Sequence, residues 1–178
     1  MNIFFLCTGR CGSTTIIKAC SHISNFSAAH ESRTNLLSSN RFEYPTQHIE
    51  ADNRLSWLLG RLNIAYGDNA YYVHLKRDTH KTAESFVKRY QGGIMQAYRG
   101  SGIIMGLSEN ADPLSVAIDY CETVNTNIDL FLKDKTHVMR MDLEQIKEAF
   151  PAFCSWIGAD VNMEEALLEF EIKHNASS

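Results

Sequence analysis

No apolar run in this chain approaches the ~20 residues needed to span a bilayer, and Met1 to Cys7 lacks the basic start and long apolar centre of a signal peptide. A cytoplasmic protein with no membrane partner is the expectation. Cysteine occurs five times (Cys7, Cys11, Cys20, Cys121, Cys154), an odd number never arranged as paired C-x-x-C units. Neither a disulfide framework nor a zinc site is indicated, and no metal ligand set stands out. Cys7, Cys20 and Cys121 fall at apolar positions and read as small core residues; Cys11 does not. Only three prolines and ten glycines accompany 44% hydrophobic residues, which excludes disordered and fibrous classes. Internal repeats and composition shifts are absent, so residues 1–178 are expected to form a single domain. Excess positive charge is missing too. A net charge of −4 and a pI near 6.0 argue against a nucleic-acid partner.

That charge is unevenly spread. Residues 1–100 hold 12 Lys and Arg against 7 Asp and Glu, whereas residues 101–178 hold 5 against 14. The basic half contains the stretch Ile3 to Ile17, I-F-F-L-C-T-G-R-C-G-S-T-T-I-I, which reads as a buried strand, a turn and a helix start. Such a junction holds anions, because the first helical N–H groups lack intrahelical partners and the helix dipole adds partial positive charge. Two familiar phosphate loops are excluded. The triphosphatase form Gly-x-x-x-x-Gly-Lys-Ser/Thr is not present, since Gly9 and Gly12 are too close and Gly12, not Lys, precedes Ser13. A phosphatase loop would place Arg six positions after Cys, but Cys7 leads to Ser13 and Cys11 to Ile17.

Strands and helices alternate along the chain. Helical spacing of Ile16, Cys20 and Ile23 continues the first turn, and Phe26 to His30 reads as a second strand. Residues 32–48 are polar and predict a loop or lid, followed by an amphipathic helix over 50–62 on Leu55, Leu58, Leu59 and Leu62. Ala70 to Leu75 predicts a strand that runs into Lys76-Arg77-Asp78 and a helix start. Residues 91–112, with five glycines and no clean period, predict an excursion. Beyond it come a long helix from Pro113 to Leu132, a strand over 136–141, a short helix stopped by Pro151, and terminal helical pieces over 153–157 and 163–170. The predicted fold is three-layer α/β/α around a mainly parallel sheet, with ligands beyond the carboxyl ends of the strands.

The sequence Arg10-Cys11-Gly12-Ser13-Thr14-Thr15 resembles the 5′-phosphosulfate loop of the sulfotransferases, in which a strand ends in a basic residue, a small residue, Gly and hydroxyls. The family also places an Arg at the end of a later strand and a Ser eight positions on. Arg77 and Ser85 stand at that spacing. Val138 to Leu143 and the following F-C-S-W-I-G resemble the family's later strand and helix, so the likeness runs the length of the chain in order; its motif style is nearest the bacterial and heparan-type members. The resemblance implies a P-loop NTPase-like sulfotransferase fold and 3′-phosphoadenosine 5′-phosphosulfate (PAPS) as donor, with adenosine 3′,5′-bisphosphate (PAP) released. It implies a small-molecule or glycan acceptor, and no metal. Cofactor-binding residues are then Gly9, Arg10, Cys11, Gly12, Ser13, Thr14 and Thr15 for the 5′ side, and Arg77 with Ser85 for the 3′-phosphate.

Sulfuryl transfer also needs a base for the acceptor's proton. Members with a Glu just after the second strand point to Glu31; His30, and more weakly His48, are the other candidates, with Arg10 as the catalytic cation at the leaving group. His74 reads as structural and His80 as a helix-start residue. Departures exist: Gly9 and Thr79 replace common prolines, and Cys11 replaces a common Ser, leaving open a thiol-active loop. A C-terminal Gly-x-x-Gly-x-x-Lys segment is not found, so the expectation is either that Lys76, Arg99 or a residue of 91–112 substitutes for it or that cofactor affinity is weak. Two other functions fit parts of the pattern. One is a non-catalytic PAP or nucleotide binder; the other is a divergent P-loop kinase or nucleotidase that recruits Asp119 or Asp142 for a metal.

Overall fold

A computed structural model describes residues 1–172. Its centre is a five-stranded parallel sheet built from β1 (Asn2–Leu6), β2 (Ser27–His30), β3 (His48–Ala51), β4 (Tyr71–Lys76) and β5 (Val138–Asp142). The strand order is β2-β3-β1-β4-β5, with every ladder between neighbouring strands parallel. Strand β1 is central and buried on both faces, which is why it reads as an unbroken apolar run. Alternate side chains serve two cores. Ile3 and Phe5 pack with α1 (Ser13–Cys20), α6 (Ile146–Ile157) and α7 (Met163–Leu168), whereas Phe4 and Leu6 pack with α2 (Leu59–Tyr66), α3 (Thr79–Val87) and α5 (Pro113–Leu132). The three-layer α/β/α expectation holds.

Three local expectations are corrected. Strand β3 was predicted as the end of a loop and the start of a helix, yet it lies between β2 and β1. Its pattern is hidden because His48 and Glu50, both buried, pair with each other at 3.0 Å while Ile49 and Ala51 enter the core. The helix predicted over 50–62 is instead β3, a 3₁₀ turn over Asn53–Trp57 and α2. Pro151 does not stop a helix but sits inside α6, where Phe150, Phe153, Cys154 and Ile157 are all buried. Packing of that apolar face outweighs one missing N–H. Within 91–112 the chain forms α4 (Gly93–Ala97) and then a π-type turn, with Met95 and Tyr98 buried.

Candidate functional site

The turn between β1 and α1 is shaped by its backbone. Gly9, Arg10 and Gly12 have φ of 83°, 57° and 85°, left-handed values that glycine adopts without strain and Arg10 adopts at some cost. Gly12 also has a packing reason, since a Cβ there would lie 2.4 Å from Leu143 Cδ1. Side chains tie down the approach to the turn. The carbonyl of Cys7 accepts from Ser56 Oγ at 3.1 Å, and that of Thr8 accepts from Tyr120 OH at 2.7 Å and Asn53 Nδ2 at 3.4 Å. Gly12 then stands at the N-cap of α1 with no side-chain cap, and no acidic residue occupies the first turn. The N-terminal amides and dipole of α1 therefore face the cleft.

This cleft, of about 1290 Å³, is lined by Gly9, Arg10, Gly12, Ser13, Thr14 and Thr15 from the turn and by His30 and Glu31 from the end of β2. Arg77 and Ser85 line it from β4 and α3. Of the residues expected in the two phosphate grips and the first two candidate bases, all but Cys11 are in this group. Two contacts join the predicted grips directly: Arg10 Nε donates to Ser85 Oγ at 3.0 Å, and an Arg77 guanidinium N–H donates to the Arg10 carbonyl at 3.2 Å. Burial, then the charges of Arg89 and Arg77, push the Arg10 guanidinium below its ordinary range. The cations are crowded, an arrangement suited to a multiply charged anion.

Cys11 faces inward. It is fully buried against Cys7, whose thiol is raised well above its ordinary value by their hydrogen bond and by burial, while Cys11 is lowered by the same bond. Its thiol belongs to the underside of the turn rather than to the cleft, so its part in anion binding falls to the backbone.

The opposite side of the cleft carries the candidate bases. His30 Nε2 is 3.0 Å from Ser13 Oγ. Glu31, with a φ of 52°, pairs with Arg54 at 3.0 Å, and its amide donates to the Ala51 carbonyl, extending the β2–β3 ladder. Behind it the amide and hydroxyl of Ser32 donate to the two oxygens of the buried Glu50 carboxylate at 2.8 and 2.7 Å. His48 is thereby removed from the candidates. It is buried in β3 between Ser27 Oγ at 2.8 Å and Glu50, and it does not line the cleft. Asp52 caps the turn that carries Arg54, accepting from its amide at 2.9 Å, and forms a buried ion pair with Arg41. Burial raises the Asp52 carboxyl above its ordinary range.

No family model matches the chain, and no curated protein matches it by sequence. Its fold, however, is shared with a solved sulfotransferase domain. That domain, from the curacin biosynthetic pathway, superposes with a TM-score of 0.69 at 18% identity over 99% of this chain and 79% of its own. Among the remaining residues, His74 is buried in β4 between Asp129 and Asn125, both at 3.1 Å, as its alternation implies. His80 lies in the first turn of α3 and pairs with Glu84 at 3.3 Å. Lys76 pairs with Asp129 at 3.0 Å, and Arg99 lies over the Tyr90 ring; neither lines the cleft. Asp119, bonded to Tyr98, and Asp142 are outside it as well. Sequence reasoning missed Arg54, Lys81, Lys88 and Arg89, all of which line the cleft. Lys81 and Arg89 carry a usable signal, standing four residues before and four residues after Ser85. No helix among the described residues is long and apolar enough to cross a membrane.

Proposed function

We propose that this chain is a single-domain, PAPS-dependent sulfotransferase acting in the cytoplasm, which moves a sulfuryl group to a hydroxyl or amine of a small-molecule or glycan acceptor and leaves PAP. The observation that carries this reading is the bonding of Arg10 to Ser85 and of Arg77 to the Arg10 carbonyl. Two anion grips from separate strand ends stand side by side, as a nucleotide with separate 5′ and 3′ phosphates requires. The left-handed turn at Gly12, the uncapped α1 N-terminus and the nearby guanidiniums fit the 5′ group; Arg77 and Ser85 fit the 3′-phosphate. Five free cysteines suit a reducing compartment.

When bound, the donor supplies a sulfuryl group already activated by a phosphate leaving group. The chain's own contribution is positional and electrostatic. The amides of Gly12 to Thr15 and the hydroxyls of Ser13, Thr14 and Thr15 hold the 5′-phosphate, while Arg10 offsets the charge that grows on it. The acceptor's proton goes to a Glu31 carboxylate oxygen, with Arg54 fixing the other end of that group. His30, engaged with Ser13, instead orients the hydroxyl that meets the phosphate.

Calorimetry with PAP, ADP and ATP tests the donor assignment. A Kd near 1 μM corresponds to about 8 kcal/mol, so PAP is expected to bind and to raise thermal stability more than either 3′-hydroxyl nucleotide. Equal affinity for the three would overturn the reading, and magnesium-dependent ATP binding would favour a kinase.

A further inference from the structure

The 3′-phosphate grip is expected to need more positive charge than Arg77 alone, yet Lys76 and Arg99, the residues positioned in sequence to add it, are engaged outside the cleft. The missing charge lies on α3 and just past its end. Lys81 and Ser85 stand four residues apart on one face of α3, Arg89 follows four residues later in the turn just past its end, and all three line the cleft. Helical winding persists past Val87, because the amide of Arg89 donates to the Phe86 carbonyl at 2.9 Å and that of Tyr90 to the Val87 carbonyl at 3.2 Å. Arg89 is thus held in a tight turn directly after α3 and lines the cleft with Ser85. The corner beyond it is fixed by Arg99, which donates to the Tyr90 carbonyl at 3.0 Å and covers the Tyr90 ring at 4.3 Å.

Arg89 and Arg77 press on the same neighbour. Both charges act on Arg10, with Arg89 the stronger of the two. Three guanidiniums gathered in one part of a cleft repel one another, and a dianion among them converts that repulsion into attraction. Glu84, the acidic residue of this wall, is paired with His80.

We infer that Arg89 is the third guanidinium of the 3′-phosphate grip and that it makes the site discriminate a 3′-phosphate from a 3′-hydroxyl. The inference rests on the PAPS-dependent reading of the cleft. A 3′-hydroxyl nucleotide gives Arg89 nothing to bind, whereas a phosphate accepts a charge-assisted fork from it. Lysine at this position keeps the charge and loses the fork.

The test is isothermal titration of the full chain and of its Arg89→Ala and Arg89→Lys variants with two probes, PAP and AMP. Arg89 is exposed, so both variants are expected to fold, and AMP affinity reports that directly. Arg89→Ala is expected to weaken PAP binding by roughly 10- to 100-fold while leaving AMP within about twofold, with Arg89→Lys in between. Unchanged PAP affinity in Arg89→Ala, or an equal loss for PAP and AMP, would overturn the role of Arg89. Absence of any PAP preference in the unsubstituted chain is a separate result, and it would remove the donor assignment and Arg89's role with it.

Discussion

The two walls of the cleft are built by different means. On the cationic wall, Arg10, Arg77 and Ser85 are placed by main-chain features: a left-handed turn after β1, the end of β4, and one face of α3. On the acidic wall the backbone of Glu31 extends the β2–β3 ladder, but its carboxylate is held by side chains from other segments, Arg54 directly and the buried Glu50 through Ser32 next to it. The first kind of construction tolerates loss of one side chain, because the backbone still presents its amides. The second is a chain of dependences, in which removing a supporting group displaces the working one.

The sharpest way to separate the walls is Glu31→Gln. It is expected to lower turnover by roughly 10²- to 10⁴-fold with any active acceptor while leaving the PAP dissociation constant unchanged, as read by steady-state kinetics beside calorimetry. Dependence within the wall is visible in a double-mutant cycle. Glu50→Gln alone is expected to cost about tenfold in turnover by loosening the loop, and nothing further once Glu31 is already Gln. Additive losses would mean that Glu50 serves the fold and not the base.

Arg77→Ala gives the converse result on the cationic wall. PAP affinity is expected to fall by about 100-fold, with AMP affinity nearly retained, since the turn still offers Gly12 to Thr15. A proportionate loss of AMP would mean that the hold of Arg77 on the Arg10 carbonyl shapes the turn itself, and the contrast between the walls would weaken.

The smallest effect concerns the strand that delivers Arg77. Burial lowers the His74 pKa below its ordinary value, opposed by its contacts with Asn125 and Asp129. A folded-state pKa below the unfolded one means that the unfolded chain binds the extra proton first. The stabilising contribution is therefore complete above about pH 6.5 and is lost as pH falls through the window down to the folded value. Urea denaturation at pH 8 and pH 5.5 is expected to show this slope, and His74→Gln to flatten it.

What was legible in the sequence follows the same division. The turn and the Arg77–Ser85 pair could be read because each is local: an apolar strand, a short run of turn residues and a helix start lie within about 20 positions. Strand β3 could not, because its two ionisable residues are buried by partners at Ser27 and Ser32, which only the folded sheet brings near. Arg54 was invisible for the same reason, its value coming entirely from Glu31. Pro151 reads as a stop by its local chemistry, whereas the apolar face around it carries α6 through that position.

The contact between Gly12 and Leu143 joins the anion-binding turn to the beginning of the α6 region. The Leu143 side chain occupies the space a side chain at position 12 would fill, so the turn is packed against the segment that follows β5. Ligand binding at the first strand's end is therefore expected to be felt more than 130 residues later in sequence, as slower amide exchange in α6. The cleft and the distal helical layer would open together or not at all.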